Sequence, residues 1–209
     1  MNQTPVNAAI LVGGQSSRMG EPKSALILDG RSLLEIAIER IAPLASRIAL
    51  VGRMDDSTRA VKDRLAKSLN ITTLDDDPAI RGPLAGIVSV LESAPDANWL
   101  VLSCDMPAMS TDAIRWLLVQ HDPASPATVG ALVGRDEIEP FPAVYRAGVG
   151  AQIRSCAADC GGSLRRVLSK LGASAVKIPS EFAPCWRNCN TPDEWQAFLT
   201  ERRRQNGID

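Results

Sequence analysis

Apolar runs bounded by turn residues alternate along this chain with segments of helical period, which predicts an α/β fold with a mostly parallel sheet covered by helices. Two further observations narrow the prediction. The first apolar run stops at Gly13-Gly14, and a buried strand that feeds a glycine-rich loop lets backbone N–H groups approach a ligand closely. The length of 209 residues, with 45% apolar and 22% charged, suits one well-buried domain and is short for two. No repeat or low-complexity linker divides the chain, so a single domain over residues 1–209 is expected.

Residues 6–12 read as the first strand. Residues 32–44 read as a helix with Leu33, Leu34, Ile36, Ala37, Ile41 and Leu44 on its apolar face. A short strand at 47–51, a charged surface helix at 57–68 and a third strand at 71–74 come next. Pro83 suits a first helical position and opens a helix to about Ser93. Residues 98–104 form a continuous apolar run, read as a buried strand, and a helix follows at about 111–120. Strands at 127–133 and 142–145, helices at 148–158 and 163–171, a strand at 175–178 and a helix at 192–204 complete the pattern.

The net charge of −1 removes the case for a nucleic-acid binder, which would carry a basic excess. No apolar run approaches the roughly 18 residues of a membrane span. Residues 1–7 lack the charged and apolar regions of a signal peptide, so no membrane association is expected and the cytoplasm is the expected location. Five cysteines are an odd number for a disulfide framework. Cys156/Cys160 and Cys185/Cys189 have C-x3-C spacing that could hold zinc; the alternative is one pair a turn apart on a packed helix and the other in a loop. The single histidine, His121, stands at an expected helix end, where a solvated C-terminal cation is favoured over a catalytic base.

Ligands of open α/β sheets bind at strand carboxyl ends, which selects the loops after Val12, Val51, Leu74 and Cys104. After the first strand, Arg18 and Lys23 bring two cations to the glycine loop, as a polyphosphate requires. Neither G-x-x-x-x-G-K-[ST] nor G-x-G-x-x-G occurs there, which argues against a P-loop NTPase and a dinucleotide-dependent oxidoreductase. After the third strand stand Asp75, Asp76 and Asp77, one of which could touch a base or ribose. Gly82-Pro83-Leu84-Ala85-Gly86 then opens a helix with glycines placed either for tight packing or for ligand contact. After the fourth strand, Asp105 is placed either to hold Mg²⁺ together with substrate phosphates or to cap the turn. Near the end, Thr191, Pro192 and Glu194 have the spacing of a capping box, preceded by Asn188 and Asn190.

These segments together resemble the molybdenum cofactor guanylyltransferases. The resemblance rests on Leu11-Val12-Gly13-Gly14, Ser17-Arg18-Met19-Gly20 and Lys23, on Gly82-Pro83-Leu84-Ala85-Gly86 and on Cys104-Asp105-Met106-Pro107. It continues through Glu139-Pro140-Phe141-Pro142-Ala143-Val144-Tyr145 and Asn188-Cys189-Asn190-Thr191-Pro192, in the family's order and over nearly the whole chain. The resemblance implies a Rossmann-like, three-layer α/β/α nucleotidyltransferase fold of the nucleotide-diphospho-sugar transferase type. It further implies GTP and molybdenum-molybdopterin as substrates and Mg²⁺ as the metal. Carried residue by residue, it puts GTP on Leu11, Val12, Gly13, Gly14 and Lys23. Gly82 and Asp75, with Asp76 as a one-residue alternative, fall at the nucleotide, Asp105 at Mg²⁺, and Asn188 and Asn190 on the pterin side. Handover from the molybdenum-inserting enzyme and contact with a GTP-binding accessory protein are implied as well. Two positions depart from the pattern. Arg53 follows the second strand where an asparagine is usual, and Val12 replaces an alanine at a contact made mainly by backbone.

The expected reaction is attack by the molybdopterin phosphate on the α-phosphorus of GTP, with Arg18, Lys23 and Asp105 as the catalytic set. A rival reading is a nucleotidyltransferase that uses CTP or a sugar phosphate. Another is a nucleotide-binding module without catalysis.

Overall fold

The computed structural model describes residues 6–12, 23–134, 137–205 and 207, with the backbone alone at Lys23. Chain order is β1 (Val6–Leu11), β2 (Ile27–Leu28), β3 (Arg31–Ser32), α1 (Leu33–Ile41), β4 (Ala45–Val51), α2 (Asp56–Leu65), β5 (Ile71–Leu74) and α3 (Pro83–Ser93). The chain continues through β6 (Trp99–Ser103), α4 (Thr111–Val119), β7 (Ala127–Ala131), β8 (Ile138–Tyr145), α5 (Gly150–Asp159), α6 (Leu164–Lys170), β9 (Ser174–Lys177) and α7 (Pro192–Gln205).

Seven strands make one sheet in the order β5-β4-β1-β6-β8-β7-β9, and all neighbours are parallel except β8, which opposes both β6 and β7. From β1 the chain winds one way to β4 and β5, then crosses to β6 on the other side. The gap between β1 and β6 is therefore a topological switch point, where a crevice opens at the carboxyl ends.

Alternate side chains of each strand enter opposite layers. Ala8, Ile10, Leu50 and Leu100 pack with Leu34 and Ile38 of α1 and Ile114 and Leu117 of α4. Ala9, Leu11, Val51 and Val101 pack with Leu84 and Ile87 of α3, Ile153 of α5 and Val167 of α6. Helices on both faces explain why β1 and β6 are apolar without alternation, and this is the three-layer α/β/α arrangement that the sequence implies. A third cluster joins Leu28, Leu33 and Ile36 to Cys189, Trp195 and Phe198, docking α7 on the β2–β3 hairpin. Among the described residues no helix is long and apolar enough to cross a membrane.

The deviations from the expected elements have local causes. The first helix stops at Ile41 and continues only as a 3-10 turn over Ala42–Leu44, because Pro43 has no N–H to extend it. The β2–β3 hairpin, two residues per strand around Asp29 and Gly30, is too short to leave a periodic signal. Strand β8 begins at Ile138, four residues earlier than expected. Glu139 pairs with Gly130 and Ala143 with Val129, so Pro140, Phe141 and Pro142 occupy a register shift in which no ladder N–H is needed from proline.

Candidate active site

The residues that end β5, β4, β1 and β6 are held level by strand register. Leu74 pairs with Val51, Val51 with Leu11, and Leu11 with Ser103. Two residues beyond that level stand Asp76, Arg53 and Asp105, so the strand ends form a crest with a carboxylate at each side. Neighbouring strands lie about 4.8 Å apart, which puts roughly 14 Å between the crest positions of β5 and β6. A nucleoside triphosphate can span that distance.

Leu11 is buried as the last residue of β1, and Val12 donates its N–H to Val51 O at 2.9 Å. Gly13, Gly14 and Arg18 lie outside the described residues, as does the Lys23 side chain. The backbone of Lys23 opens a 3-10 turn, Lys23–Ala25, which is pinned to the first turn of α2 by the buried Ser24–Thr58 hydroxyl contact at 3.1 Å. Asp55 caps the same turn of α2 by accepting from Thr58 N at 2.7 Å. Lys23 thus starts from a fixed point beside the loop that follows β4.

The acidic turn after β5 separates three roles that the sequence leaves together. Asp75 is exposed. Asp76 is exposed as a residue, yet its Oδ1 turns inward, 3.0 Å from where a Cβ on Gly86 would stand. Leu11 Cδ2 and Val51 Cγ1 meet the same point at 2.9 and 3.2 Å, so Asp76 reaches the β1–β4 ends through space that only glycine leaves open. Its partial burial raises the Asp76 carboxyl above the usual aspartate range, and the neighbouring Asp75 charge adds to the rise. Asp77 is bound elsewhere, to Arg154 Nη2 at 2.6 Å. Gly82 opens α3 at φ 68°, in the left-handed region that favours glycine, and Pro83 takes the first helical position.

Asp105 is 9% exposed at the exit of β6. Its backbone oxygen accepts from Cys189 N at 2.9 Å, which brings the Asn188-Cys189-Asn190 segment to the crest. The capping box read from the sequence forms: Glu194 N donates to Thr191 Oγ1 at 3.2 Å, while Glu194 Oε2 accepts from Thr191 N and Asn190 N. Asn188 Oδ1 is buried and has no hydrogen-bond partner among the described residues.

Glu139 carries no role in the sequence reading, yet it is 6% exposed where β8 begins, on the same edge of the sheet and 3.8 Å from Arg165 Nη2. A lone acid inside an apolar, proline-flanked strand is the signal that could have marked it. His121 departs from expectation. It is half-buried with Nδ1 3.2 Å from Thr128 Oγ1, and burial lowers its pKa, so it is not a solvated helix-end cation. It lines a cavity of about 490 Å³ with Val6, Ala45 and Asn98 at the amino ends of the strands, away from the crest. Of the C-x3-C cysteines, Cys156 lies in α5 and Cys160 caps its end, while Cys185 lies in a 3-10 turn. Among the described residues no group of three or more histidine, cysteine or acidic side chains gathers in metal-binding geometry.

Comparison with known proteins bears on the family and the fold. The profile of the family described as MobA-like NTP transferase domain matches residues 8–176. A molybdenum cofactor guanylyltransferase from Syntrophotalea carbinolica is 31% identical over 207 residues, covering 97% of this chain and 93% of the relative. Among solved structures, molybdopterin-guanine dinucleotide biosynthesis protein A from Archaeoglobus fulgidus superposes with a TM-score of 0.73 at 21% identity, over 94% of this chain and 100% of that one. The 2-C-methyl-D-erythritol 4-phosphate cytidylyltransferase from Thermus thermophilus superposes at 0.66 with 17% identity, over 96% and 100% of the two chains. At such identities the two structures speak for the fold.

Proposed function

The chain belongs to the MobA-like NTP transferase family and, within it, to the molybdenum cofactor guanylyltransferases; from that premise we propose that it transfers GMP from GTP to the terminal phosphate of molybdopterin. The products are molybdopterin guanine dinucleotide and pyrophosphate. The observation that carries the reading at this site is the level crest, with Asp76 at one side, the end of β1 in the middle and Asp105 at the other.

In this reading the guanine lies over β5 and β4, and Asp76, in preference to the exposed Asp75, accepts hydrogen bonds from its N1–H and 2-amino group. Backbone N–H groups of Gly13 and Gly14 cradle the phosphates, and Gly82 lets the start of α3 approach the nucleotide. Lys23 and Arg18 neutralise charge as it develops on the departing pyrophosphate. Asn188 and Asn190 hold the pterin on the far side of Asp105, where the buried Oδ1 of Asn188 accepts a pterin N–H. An oxygen of the acceptor phosphate forms the new bond to the α-phosphorus as the bond to the pyrophosphate oxygen breaks. That oxygen is already ionised at neutral pH, so no general base is required, in keeping with a histidine that sits at the opposite edge of the sheet. Positioning and charge neutralisation are what the protein supplies.

Asp105 fits Mg²⁺, a hard ion that takes one or two carboxylates and completes its shell with waters and substrate phosphates. It offers a hard oxygen donor at the switch point, on a backbone fixed by Cys189. When bound, the ion supplies phosphate charge neutralisation.

The test is pyrophosphate release with molybdopterin as acceptor, GTP being compared with CTP and the wild type with Asp105→Asn. Transfer is expected with GTP, and a loss on the order of 10²-fold or more is expected for the variant. A preference for CTP would overturn the guanine assignment. Near-normal turnover by Asp105→Asn would remove Asp105 from the metal.

A further inference from the structure

The acidic turn after β5 is anchored at two points, and neither anchor belongs to the crest itself. At its start, Leu74 O accepts from Gly52 N at 3.0 Å. At its end, Asp77 is held on three sides. Its N–H donates to Ala85 O at 3.4 Å, its Oδ1 accepts from Ala79 N at 2.8 Å, and its Oδ2 accepts from Arg154 Nη2 at 2.6 Å. Only Asp75 and Asp76 lie between the anchors.

Arg154 stands on α5, one layer away from the strand ends. Its guanidinium also takes both oxygens of Glu92 on α3, through Nε at 2.7 Å and Nη2 at 2.7 Å. A planar fork that meets one carboxylate side-on and a second at its tip fixes both in angle as well as distance, which an ammonium cannot do. We propose that Arg154 is a positioning residue for the nucleotide: by tying Asp77 to Glu92 it fixes the two-residue turn that aims Asp76 at the base, and so sets nucleotide affinity and base selectivity without touching the substrate. This rests on the placement of Asp76 at the nucleotide.

Two further observations favour a steering role over a purely structural one. Helices α3 and α5 already pack through close apolar contact: a Cβ added at Gly150 would stand 3.2 Å from Leu91 Cβ, and Ile153 is buried in the shared core. The Arg154–Glu92 pair that joins the two helices is exposed, and such pairs contribute little to stability, so it is not needed to hold the helices together. Three consecutive carboxylates also repel one another. Arg154 neutralises the third, and its hydrogen bonds hold the Asp77 and Glu92 carboxyls below their usual ranges.

The experiment measures steady-state pyrophosphate release for Arg154→Gln, Arg154→Lys and Asp76→Asn, with GTP and with ITP, which lacks the 2-amino group. Arg154→Gln is expected to raise the KM for GTP about 10-fold, the scale of one weakened charge-assisted hydrogen bond. Its kcat and its KM for molybdopterin should stay within about twofold, and its preference for GTP over ITP should shrink. Arg154→Lys keeps the charge and loses the fork, so it should fall between the two. If Asp76→Asn raises the GTP KM while both Arg154 variants leave it unchanged, the positioning role is refuted and the nucleotide site stands. If Asp76→Asn has no effect on GTP, both readings fall. An Arg154→Gln protein that melts far lower, or loses kcat and both KM values together, would make the clamp structural and overturn the proposal.

Discussion

Replacing Gly86 by alanine separates a packing role for that glycine from its consequence at the nucleotide. A Cβ at this position would lie 2.9 Å from Leu11 Cδ2, nearer than real contacts allow without movement, and 3.0 Å from Asp76 Oδ1 and 3.2 Å from Val51 Cγ1, both tighter than most real contacts. Two of these atoms are tips of flexible side chains, so the least costly relaxation swings Leu11 and Asp76 away. Overpacking of this kind costs about 1–3 kcal/mol, and the better helix propensity of alanine inside α3 returns about 1 kcal/mol. The net destabilisation is then about 0–2 kcal/mol, a fall of roughly 0–8 °C in Tm for a chain of this size. Binding should suffer more. A carboxylate turned away from guanine loses a charge-assisted hydrogen bond of about 1.5–3 kcal/mol, or about 10- to 100-fold in affinity at roughly 1.4 kcal/mol per decade. Thermal melts paired with GTP titration of pyrophosphate release read both effects. A folded Gly86→Ala protein whose KM for GTP stays within about twofold of wild type would refute the reasoning, because Asp76 would then be displaced without consequence.

Two other perturbations test the frame around the site. Gly130→Ala on β7 would drive a Cβ to 2.7 Å from Ile178 Cδ1 and 2.9 Å from Trp186 Nε1; the expected loss is about 1–3 kcal/mol in a chemical melt, and an unchanged midpoint would show that the packing yields freely. Burial lowers the folded pKa of His121 below its model-peptide 6.5, so the unfolded chain binds the proton first as pH falls. Stability contributed by neutral His121 is complete above 6.5 and is lost on descent through that value towards the folded pKa, a slope that His121→Gln should flatten if the buried imidazole is its source.

The sheet and its covering helices were legible because central parallel strands must be apolar on both faces, and β1 and β6 are. The helix starts were legible where side chains perform the capping, as at Ser32, Ser110 and Thr191. What escaped depends on directions set by packing. Three adjacent aspartates look alike in sequence, and only the open space at Gly86 and the reach of Arg154 divide them into an exposed, an inward and a clamped carboxylate. Glu139 escaped because the strand was read only from residue 142, whereas the register shift lets it begin at Ile138, ahead of both prolines. His121 was misjudged because a helix-end position does not reveal that Thr128, on the following strand, meets the ring.

The bond from Cys189 N to Asp105 O also joins two stretches far apart in the chain. Every described strand of the large sheet lies before Ile178, so the α/β framework owes none of its ladders to the segment that carries Cys189. That segment steadies the exit of β6 from outside the sheet, and the Trp195–Phe198 stack of α7 belongs to the cluster that docks on the β2–β3 hairpin. Loosening α7 is therefore expected to release the Cys189 contact at Asp105 while the sheet stays whole.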